Sequence, residues 1–382
     1  MKFWETLPDV VRYPIAFLVP LLATLLLTPL AARMANRYDV IDHPDGGGHK
    51  THSNSTPYLG GLAVGAGMAV VGLVIAGTDG QLLTVLGGAL MLAAVGLADD
   101  MHSVNPWIRL GFEALAAAAL WVVGVRAGAF DTVLLDFPLT LLWVMAVVNA
   151  FNLIDNMDGI ASGVAAAAAT GIAAIAAYDG NFLVASLALA TAGAAVGFLR
   201  YNAPPARIFL GDAGSMLLGF LVAALTLEVD LPVGSVLPRV LATVLLAGVP
   251  LFDLSVVLIA RFRDGRPLLM GGTDHTSHRL AACGSSRPRV LVISVLAQAA
   301  CSLLAWFVYR QSQEVVLAVG AAAALVWIGL LVLFLRMPSL APAAEADEAP
   351  EATAGTSEAA SGAVGEAGVQ AGETLLRASS SP

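Results

Sequence analysis

Charged residues are scarce in this chain of 382 residues, since only 12% are Asp, Glu, Lys or Arg while 58% are hydrophobic. Soluble domains typically carry about 25% charged residues, so this composition excludes an ordinary soluble domain. Cysteine is almost absent as well, and Cys283 and Cys301 are its two instances. With one of them expected in a loop and the other inside an apolar run, no disulfide framework is predicted.

Long apolar runs take the place of the missing charges. A transmembrane helix needs about 20 mostly apolar residues, and backbone in the hydrocarbon layer must be hydrogen-bonded within helices. We therefore predict an all-α polytopic transmembrane helical bundle over residues 1–338. Windows of this length indicate eleven spans, or ten if a short one is misframed, at residues 11–34, 57–77, 82–98, 110–125, 132–149, 160–178, 182–199, 213–227, 237–260, 290–309 and 315–335.

The ends of the chain and its basic residues predict an orientation. Lys2, Glu5 and Asp9 precede the first apolar run instead of a basic segment, so we expect a retained anchor and not a signal peptide. Most of the 19 Lys and Arg residues fall in alternate loops on one side, which the positive-inside rule makes cytoplasmic. The N-terminus is then outside, and residues 339–382, rich in Ala, Glu, Gly and Ser, form a disordered acidic cytoplasmic tail.

The loops on the predicted cytoplasmic side contain most of the polar residues. Ionisable groups gathered at span ends on one side predict a functional site at that membrane surface. Five blocks stand out there, in chain order: "HKTHSNSTPYLGG", "GLADD", "NAFNLIDNMDG", "FLGDAGS" and "DHTSHRL".

Two of these blocks contain aspartates at the ends of spans. Asp99 and Asp100 follow an apolar run directly, and adjacent carboxylates there favour a cation partner or a proton-handling role, although a solvated helix end is the alternative. Asp212 follows Gly211 before the next run and suits a helix N-cap. A carboxylate in that place could equally hold Mg²⁺ together with phosphate oxygens.

The last block places His275, His278 and Arg279 close together. A His-x-x-His pair without cysteines or a clear third ligand is a weak zinc signal. Histidine and arginine beside glycines fit a diphosphate better, because Arg offers a fork of donors to phosphate oxygens. Attraction of basic residues to the membrane surface is the alternative explanation.

The block "NAFNLIDNMDG", residues 149–159, is the densest in amides and acids. A calcium loop of the EF-hand type is excluded, because counting Gly159 as position 6 puts Ile154 and Ala165 where carboxylates are required. If the segment is helical, its asparagines share one face and its aspartates the next. Polar contacts between helices are the alternative, but Gly159 predicts that the helix breaks.

Taken together, the five blocks resemble those of the polyprenyl-phosphate N-acetylhexosamine-1-phosphate transferases, which include the phospho-MurNAc-pentapeptide translocase. The resemblance runs from about residue 42 to residue 280. It implies a helical bundle, commonly dimeric, with a cytoplasmic cleft in the cell inner (plasma) membrane. The implied substrates are a UDP-N-acetylhexosamine and a polyprenyl phosphate lipid, and no nucleic-acid partner is expected.

The resemblance also assigns roles to residues of this sequence. It implies a base or phosphate-orienting role for Asp99 and Asp100. It implies Mg²⁺, or alternatively Mn²⁺, on Asp212, with Asn152 as a second contact. The other implied sites are nucleotide-sugar binding by Asn149, Asn152, Asp155, Asn156 and Asp158, diphosphate binding by His275, His278 and Arg279, and lipid-phosphate binding by Lys50, His52 and Arg109.

Three departures from the family pattern bear on the substrate. Many members have glycine where this chain has Asn156, and the histidine block often has histidine where this chain has Ser277. The translocase branch usually has lysine shortly after its aspartate pair, whereas "DDMHS" has none, which favours transfer of GlcNAc-1-phosphate. The alternatives are the muropeptide translocase, a membrane transporter and a scaffold that binds lipid headgroups.

Overall fold

The computed structural model describes residues 3–42, 56–130, 132–229, 236–267 and 272–339. Lys50, His52 and the predicted tail after residue 339 lie outside these residues, and their assignments stay predictions. Two short antiparallel strands, β1 (Ile41–Asp42) and β2 (Thr56–Pro57), flank the first gap. The helices are α1 Phe3–Thr6, α2 Asp9–Arg37, α3 Gly60–Ala76, α4 Gly80–His102, α5 Pro106–Val122, α6 Val133–Ile154, α7 Ile160–Tyr178, α8 Phe182–Asn202, α9 Gly211–Leu227, α10 Val236–Leu246, α11 Gly248–Arg263, α12 Thr276–Ala282, α13 Arg287–Val308 and α14 Gln313–Arg336.

The all-α membrane architecture is confirmed within the described part of the chain. Each of the eleven predicted apolar stretches coincides with a helix, or with two consecutive helices in the case of residues 237–260. Seven helices are long and apolar enough to cross a membrane, and the pair α10 and α11 makes an eighth if it is one span. The helices α3, α5 and α9 have 17 residues each and fall below that length.

The span predicted at residues 237–260 is not one straight helix, because the helix breaks at Ala247 and bends by 76°. A side chain of α13 stabilises the break. The Gln298 amide donates to the carbonyls of Leu245 (3.3 Å) and Leu246 (3.0 Å), and its Oε1 accepts from the N–H of Val249 (3.1 Å). These bonds satisfy backbone groups that a continuous helix would pair within itself, as an apolar surrounding requires.

The break that Gly159 predicts between α6 and α7 is present. Gly159 has φ +79°, in the left-handed region, and its N–H donates to Asn202 Oδ1 (3.0 Å). The same oxygen accepts from Ser162, while the Asn202 amide donates to the carbonyl of Ile208. The chain therefore leaves α6 at Ile154 and presents residues 155–158 in a turn fixed by α8.

Close packing of α4 against α9 positions the polar ends of these helices. A Cβ added to Gly96 would overlap the backbone of Asp212 and Ala213. Only glycine allows this approach, which brings the last turn of α4 beside the first turn of α9. The aspartate pair and the "FLGDAGS" block thus meet at one end of the bundle.

Candidate active site

Asp100 binds the start of α9. Its two carboxylate oxygens accept the backbone N–H groups of Asp212 (2.8 Å) and Ala213 (3.1 Å). The prediction that Asp212 is an N-cap is wrong, since Leu210 holds that position without a side-chain cap and Asp212 lies in the first helical turn. A carboxylate from α4 therefore accepts the free N–H groups at the start of α9, as an N-cap side chain usually would, and the Asp212 side chain is available for other contacts.

Arg109, near the start of α5, joins three of the predicted site residues. Its guanidinium donates to Asp99, to Asp212 Oδ2 (2.9 Å) and to Asn152 Oδ1 (2.7 Å). The side chains of Arg109 and Asp99 are 17% and 11% exposed. Asn105 caps α5 through the N–H of Trp107, so the helix start that holds Arg109 is itself fixed.

Asn152, on the last turn of α6, completes this cluster. Its amide donates to Asp212 Oδ1 (2.7 Å) and to the hydroxyl of Ser215 (3.0 Å). Asn149, one turn earlier, has a different partner, because its amide donates to the buried carboxylate of Glu113 (2.5 Å). The asparagines predicted to share one face therefore have separate partners, since Asn152 belongs to the carboxylate cluster and Asn149 packs against α5.

Asp155 lies directly after α6 and faces other carboxylates. Burial raises its pKa well above the usual range, and the charges of Asp212, Asp100 and Asp158 raise it further. Within the described residues no hydrogen-bond partner of its side chain is found. Such repulsion between carboxylates is relieved when a cation lies among them.

The residues present fit a hard divalent cation. Arg109 pairs with two carboxylates, those of Asp99 and Asp212, while Asp100 binds the backbone at the start of α9 and Asp155 lies near Asp100 and Asp212. Mg²⁺ is usually bound by one or two carboxylates plus phosphate oxygens and waters, without a full cage of protein ligands. Among the described residues, no group of three or more His, Cys, Asp or Glu side chains arranged to hold a metal is found.

The histidine loop lies against α11 through a carboxylate that the sequence analysis did not select. Asp253, buried within α11, has its Oδ2 2.8 Å from His275 Nδ1. Its other oxygen accepts the N–H and the hydroxyl of Thr276, each at 2.7 Å. Asp253 thereby fixes the ring of His275 and the start of α12 together.

His278 follows one turn later on α12, with its ring centroid 5.9 Å from that of His275. Burial and the charge of His275 lower the pKa of His278 to about 4. Its imidazole is therefore neutral near pH 7 and can act there as an N–H donor but not as a cation. Its Nδ1 is buried and has no hydrogen-bond partner among the described residues.

Arg279 is turned away from the two histidines. Its guanidinium donates to the carbonyl of Asp274 (2.9 Å) and, at the end of α14, to the carbonyls of Phe334 (3.0 Å) and Met337 (2.7 Å). The Arg279 side chain is buried, and a basic side chain bonded to the last carbonyls of a helix is a common helix C-terminal contact. The structure therefore gives Arg279 a role in holding α12 to α14, and its predicted binding of a diphosphate remains untested.

The Asn-rich turn contacts the histidine loop directly. Ser277, on α12, donates its hydroxyl to Asn156 Oδ1 (2.5 Å). Asp158 accepts the N–H of Ala206 (3.0 Å) and lies 3.8 Å from the Arg287 guanidinium. The blocks "NLIDNMDG" and "DHTSHRL", 115 or more residues apart in the sequence, thus form adjoining walls.

Glu113, Asp253, Ser215 and Arg287 are polar members of these walls that sequence reasoning missed. Glu113 and Asp253 lie inside predicted apolar spans, whereas the candidate site residues were chosen from the loops and span ends. A usable signal existed, since an ionisable residue within a span marks a functional site by default. Ser215 is the last residue of the block "FLGDAGS" but was given no role of its own, and Arg287 offered no such signal.

Comparisons with known proteins agree with the sequence blocks. The family model described as glycosyl transferase family 4 matches residues 82–230. A Bacillus subtilis (strain 168) protein named probable undecaprenyl-phosphate N-acetylglucosaminyl 1-phosphate transferase is 30% identical over 347 residues, which are 88% of this chain and 92% of that protein. The decaprenyl-phosphate N-acetylglucosaminephosphotransferase of Mycobacterium leprae (strain TN) is 29% identical, over 72% of this chain and 78% of its own length. The undecaprenyl-phosphate alpha-N-acetylglucosaminyl 1-phosphate transferase of Escherichia coli (strain K12) is 27% identical, over 73% and 79%.

Proposed function

This chain belongs to glycosyl transferase family 4, and we propose that it transfers N-acetylglucosamine 1-phosphate from UDP-N-acetylglucosamine to undecaprenyl or another polyprenyl phosphate, with release of UMP. The observation that carries the proposal is the cluster in which Arg109 binds Asp99, Asp212 and Asn152, with the histidine loop joined to the adjacent turn through Ser277 and Asn156. The similar proteins of three bacteria are named for transfer of the same sugar phosphate to a polyprenyl phosphate.

The reaction brings two anions together, so positioning and charge compensation dominate the barrier. A phosphate oxygen of the lipid attacks the phosphorus that bears the sugar, and the bond from that phosphorus to the UMP oxygen breaks. A phosphate monoester has a second pKa of about 6 and is largely ionised at pH 7. The acceptor therefore needs orientation more than deprotonation. In this proposal Asp99 positions Arg109 for the lipid phosphate, and Asp100 positions the start of α9.

The proposed metal contacts are Asp212 and Asn152, which already share a hydrogen bond of 2.7 Å. Bound there, Mg²⁺ or Mn²⁺ would neutralise charge on the diphosphate. Arg109 now compensates Asp212. Its guanidinium has the planar fork that recognises phosphate, which supports the proposed lipid-phosphate role. Lys50 and His52 are proposed for the same phosphate on sequence grounds alone.

The histidine wall is proposed to contact the donor diphosphate. His275 is fixed by Asp253, and the neutral ring of His278 supplies an N–H donor that costs no deprotonation. Preorganised donors aimed at developing charge give the largest single contribution in many enzymes. Asn149, Asp155, Asn156 and Asp158 are proposed to line the nucleotide-sugar side of the same cleft.

We further propose eleven spans with the N-terminus outside, and a homodimer in the inner (plasma) membrane whose active site faces the cytoplasm. The positive-inside distribution supports this orientation, and a soluble nucleotide sugar and a membrane lipid meet only at such a surface. Labelling single cysteines introduced at the two ends of α14 from each side of the membrane tests the orientation. A label entering at Gln313 from the cytoplasmic side would contradict it.

The function is tested by giving the purified protein undecaprenyl phosphate, Mg²⁺ and either UDP-N-acetylglucosamine or UDP-MurNAc-pentapeptide, and measuring released UMP. UMP should appear with the first donor and not with the second. Asp212→Asn should abolish release. Glu314→Gln, which changes an exposed carboxylate at the far end of α14, should not. Release with the pentapeptide donor alone would assign the muropeptide reaction instead, and release with neither donor would refute the proposal.

A further inference from the structure

The side chains of Asn156 and Ser277 touch where the turn after α6 meets α12. We propose that they form a positioning pair, which sets the spacing between α12 and the turn after α6 and thereby the affinity for the nucleotide-sugar donor. The inference rests on the proposed function and names two residues that determine its donor subsite.

Both ends of the Asn156 amide make hydrogen bonds at this contact. Its Nδ2 donates to the carbonyl of Leu153 (2.8 Å), which ties the side chain to the last turn of α6. Its Oδ1 accepts from Ser277 (2.5 Å). One side chain therefore satisfies an orphan carbonyl of α6 and receives α12, and glycine at this position could do neither.

Ser277 has the complementary position on α12. It lies between His275 and His278 in sequence and is 2% exposed. A shift of Ser277 therefore moves the backbone that bears both imidazoles. The hydrogen bond of Ser277 to Asn156 is thus a direct connection between the histidines and the turn that holds Asp155.

The other contacts of α12 described above lead elsewhere. Asp253 holds the start of α12 to α11, and Arg279 holds its middle to α14. The pair of Asp158 and Arg287, at 3.8 Å, joins the turn to α13 and does not involve α12. The hydrogen bond between Ser277 and Asn156 ties α12 to the turn after α6, and in this proposal it sets the distance between the two walls.

The two side chains that meet at this contact differ in size. A small residue on the α6 side and a large one on the α12 side would fill the same space. This chain has the amide on the α6 side and a small hydroxymethyl group on the α12 side. Since packed interiors tolerate exchanges that conserve volume better than single changes, the two positions should depend on each other.

A double-mutant cycle tests this dependence. Asn156→Gly leaves a gap and Ser277→His overfills it, so each should raise the KM for UDP-N-acetylglucosamine about tenfold with kcat changed less than about threefold. A tenfold effect corresponds to about 1.4 kcal/mol. The double variant should return KM to within about threefold of the parent protein. Ser277→Ala removes only the hydroxyl and should also raise KM, so it tests the contact even where the larger substitutions impair folding.

Asn181→Gly is the matched control, because it removes an amide that caps α8 in another part of the chain. It should lower the melting temperature and leave KM unchanged. A KM in the double variant equal to the product of the single effects would overturn the proposal, and so would loss of kcat at constant KM. Melting temperatures of the same four proteins measure the coupling without any reaction. Coupled melting temperatures with no UMP release from the parent protein would therefore refute the proposed function and leave the contact standing.

Discussion

Replacing Arg109 by alanine removes the cation at the centre of the carboxylate cluster. The guanidinium donates to Asp99, Asp212 and Asn152, so all three lose a partner at once. The change leaves the carboxylates of Asp99, 11% exposed, and Asp212, 33% exposed, without a positively charged partner among the described residues.

The magnitude follows from this partial burial. Breaking a fully buried ion pair by removing one partner costs about 3–5 kcal/mol, whereas an exposed pair is worth about 0–1 kcal/mol. The Arg109 cluster lies between these limits, and we expect Arg109→Ala to lower the free energy of unfolding by about 2–3 kcal/mol without divalent cations. A metal at Asp212 would no longer compete with a guanidinium. We therefore expect its affinity to rise about tenfold, equivalent to about 1.4 kcal/mol.

The assay is thermal unfolding in detergent, in EDTA and across a Mg²⁺ titration, with the parent protein, Arg109→Ala and Arg109→Lys. The alanine variant should melt lowest in EDTA and gain most from Mg²⁺. Lysine keeps the charge but lacks the planar fork that reaches three acceptors, so it should be intermediate. Equal melting in EDTA and equal Mg²⁺ dependence in all three proteins would refute this account of Arg109.

Three further predictions concern the neighbouring contacts. Gly211→Ala should destabilise the protein by about 1–3 kcal/mol in thermal unfolding, because residue 211 has φ +72° and its Cβ would meet Asp100 Oδ2 at 2.6 Å. Asp253→Asn should lower kcat for UMP release about 100-fold through loss of the fixed His275 ring, and an unchanged kcat would exclude that role. In the folded protein the pKa of His278 is lowered to about 4, so as the pH falls below 6.5 the unfolded chain takes up a proton at this residue before the folded chain does. The free energy of unfolding should therefore fall by at most about 3 kcal/mol between pH 6.5 and 4 because of this residue. His278→Gln should flatten that part of a plot of the free energy of unfolding against pH.

The sequence predicted most of the helices because the apolar runs are long and bounded by clear polar blocks. Both α7 and the predicted span at 160–178 begin and end at the same residues. The break after α6 was readable as well, since Gly159 is the residue type that a left-handed φ requires. Helix ends and breaks that depend on neighbouring residues could therefore be predicted from the sequence.

The bend between α10 and α11 was not readable, because Gln298, which satisfies the freed backbone groups, lies about fifty residues further along the chain. The same limit applies to the site. Nothing local shows that Arg279 pairs with the end of α14 or that Asp100 binds the start of α9. Such partners are set by packing between distant segments, and only the folded chain reveals them.

The central claim is phosphoryl transfer to a lipid, and the most direct test follows the phosphate itself. The purified protein would receive UDP-N-acetylglucosamine labelled with ³²P in the phosphate next to the sugar, together with undecaprenyl phosphate and Mg²⁺. The account predicts that the label moves into the lipid product while unlabelled UMP is released, and that Asp212→Asn prevents both. Recovery of the label in free UDP, with only the sugar on the lipid, would contradict it.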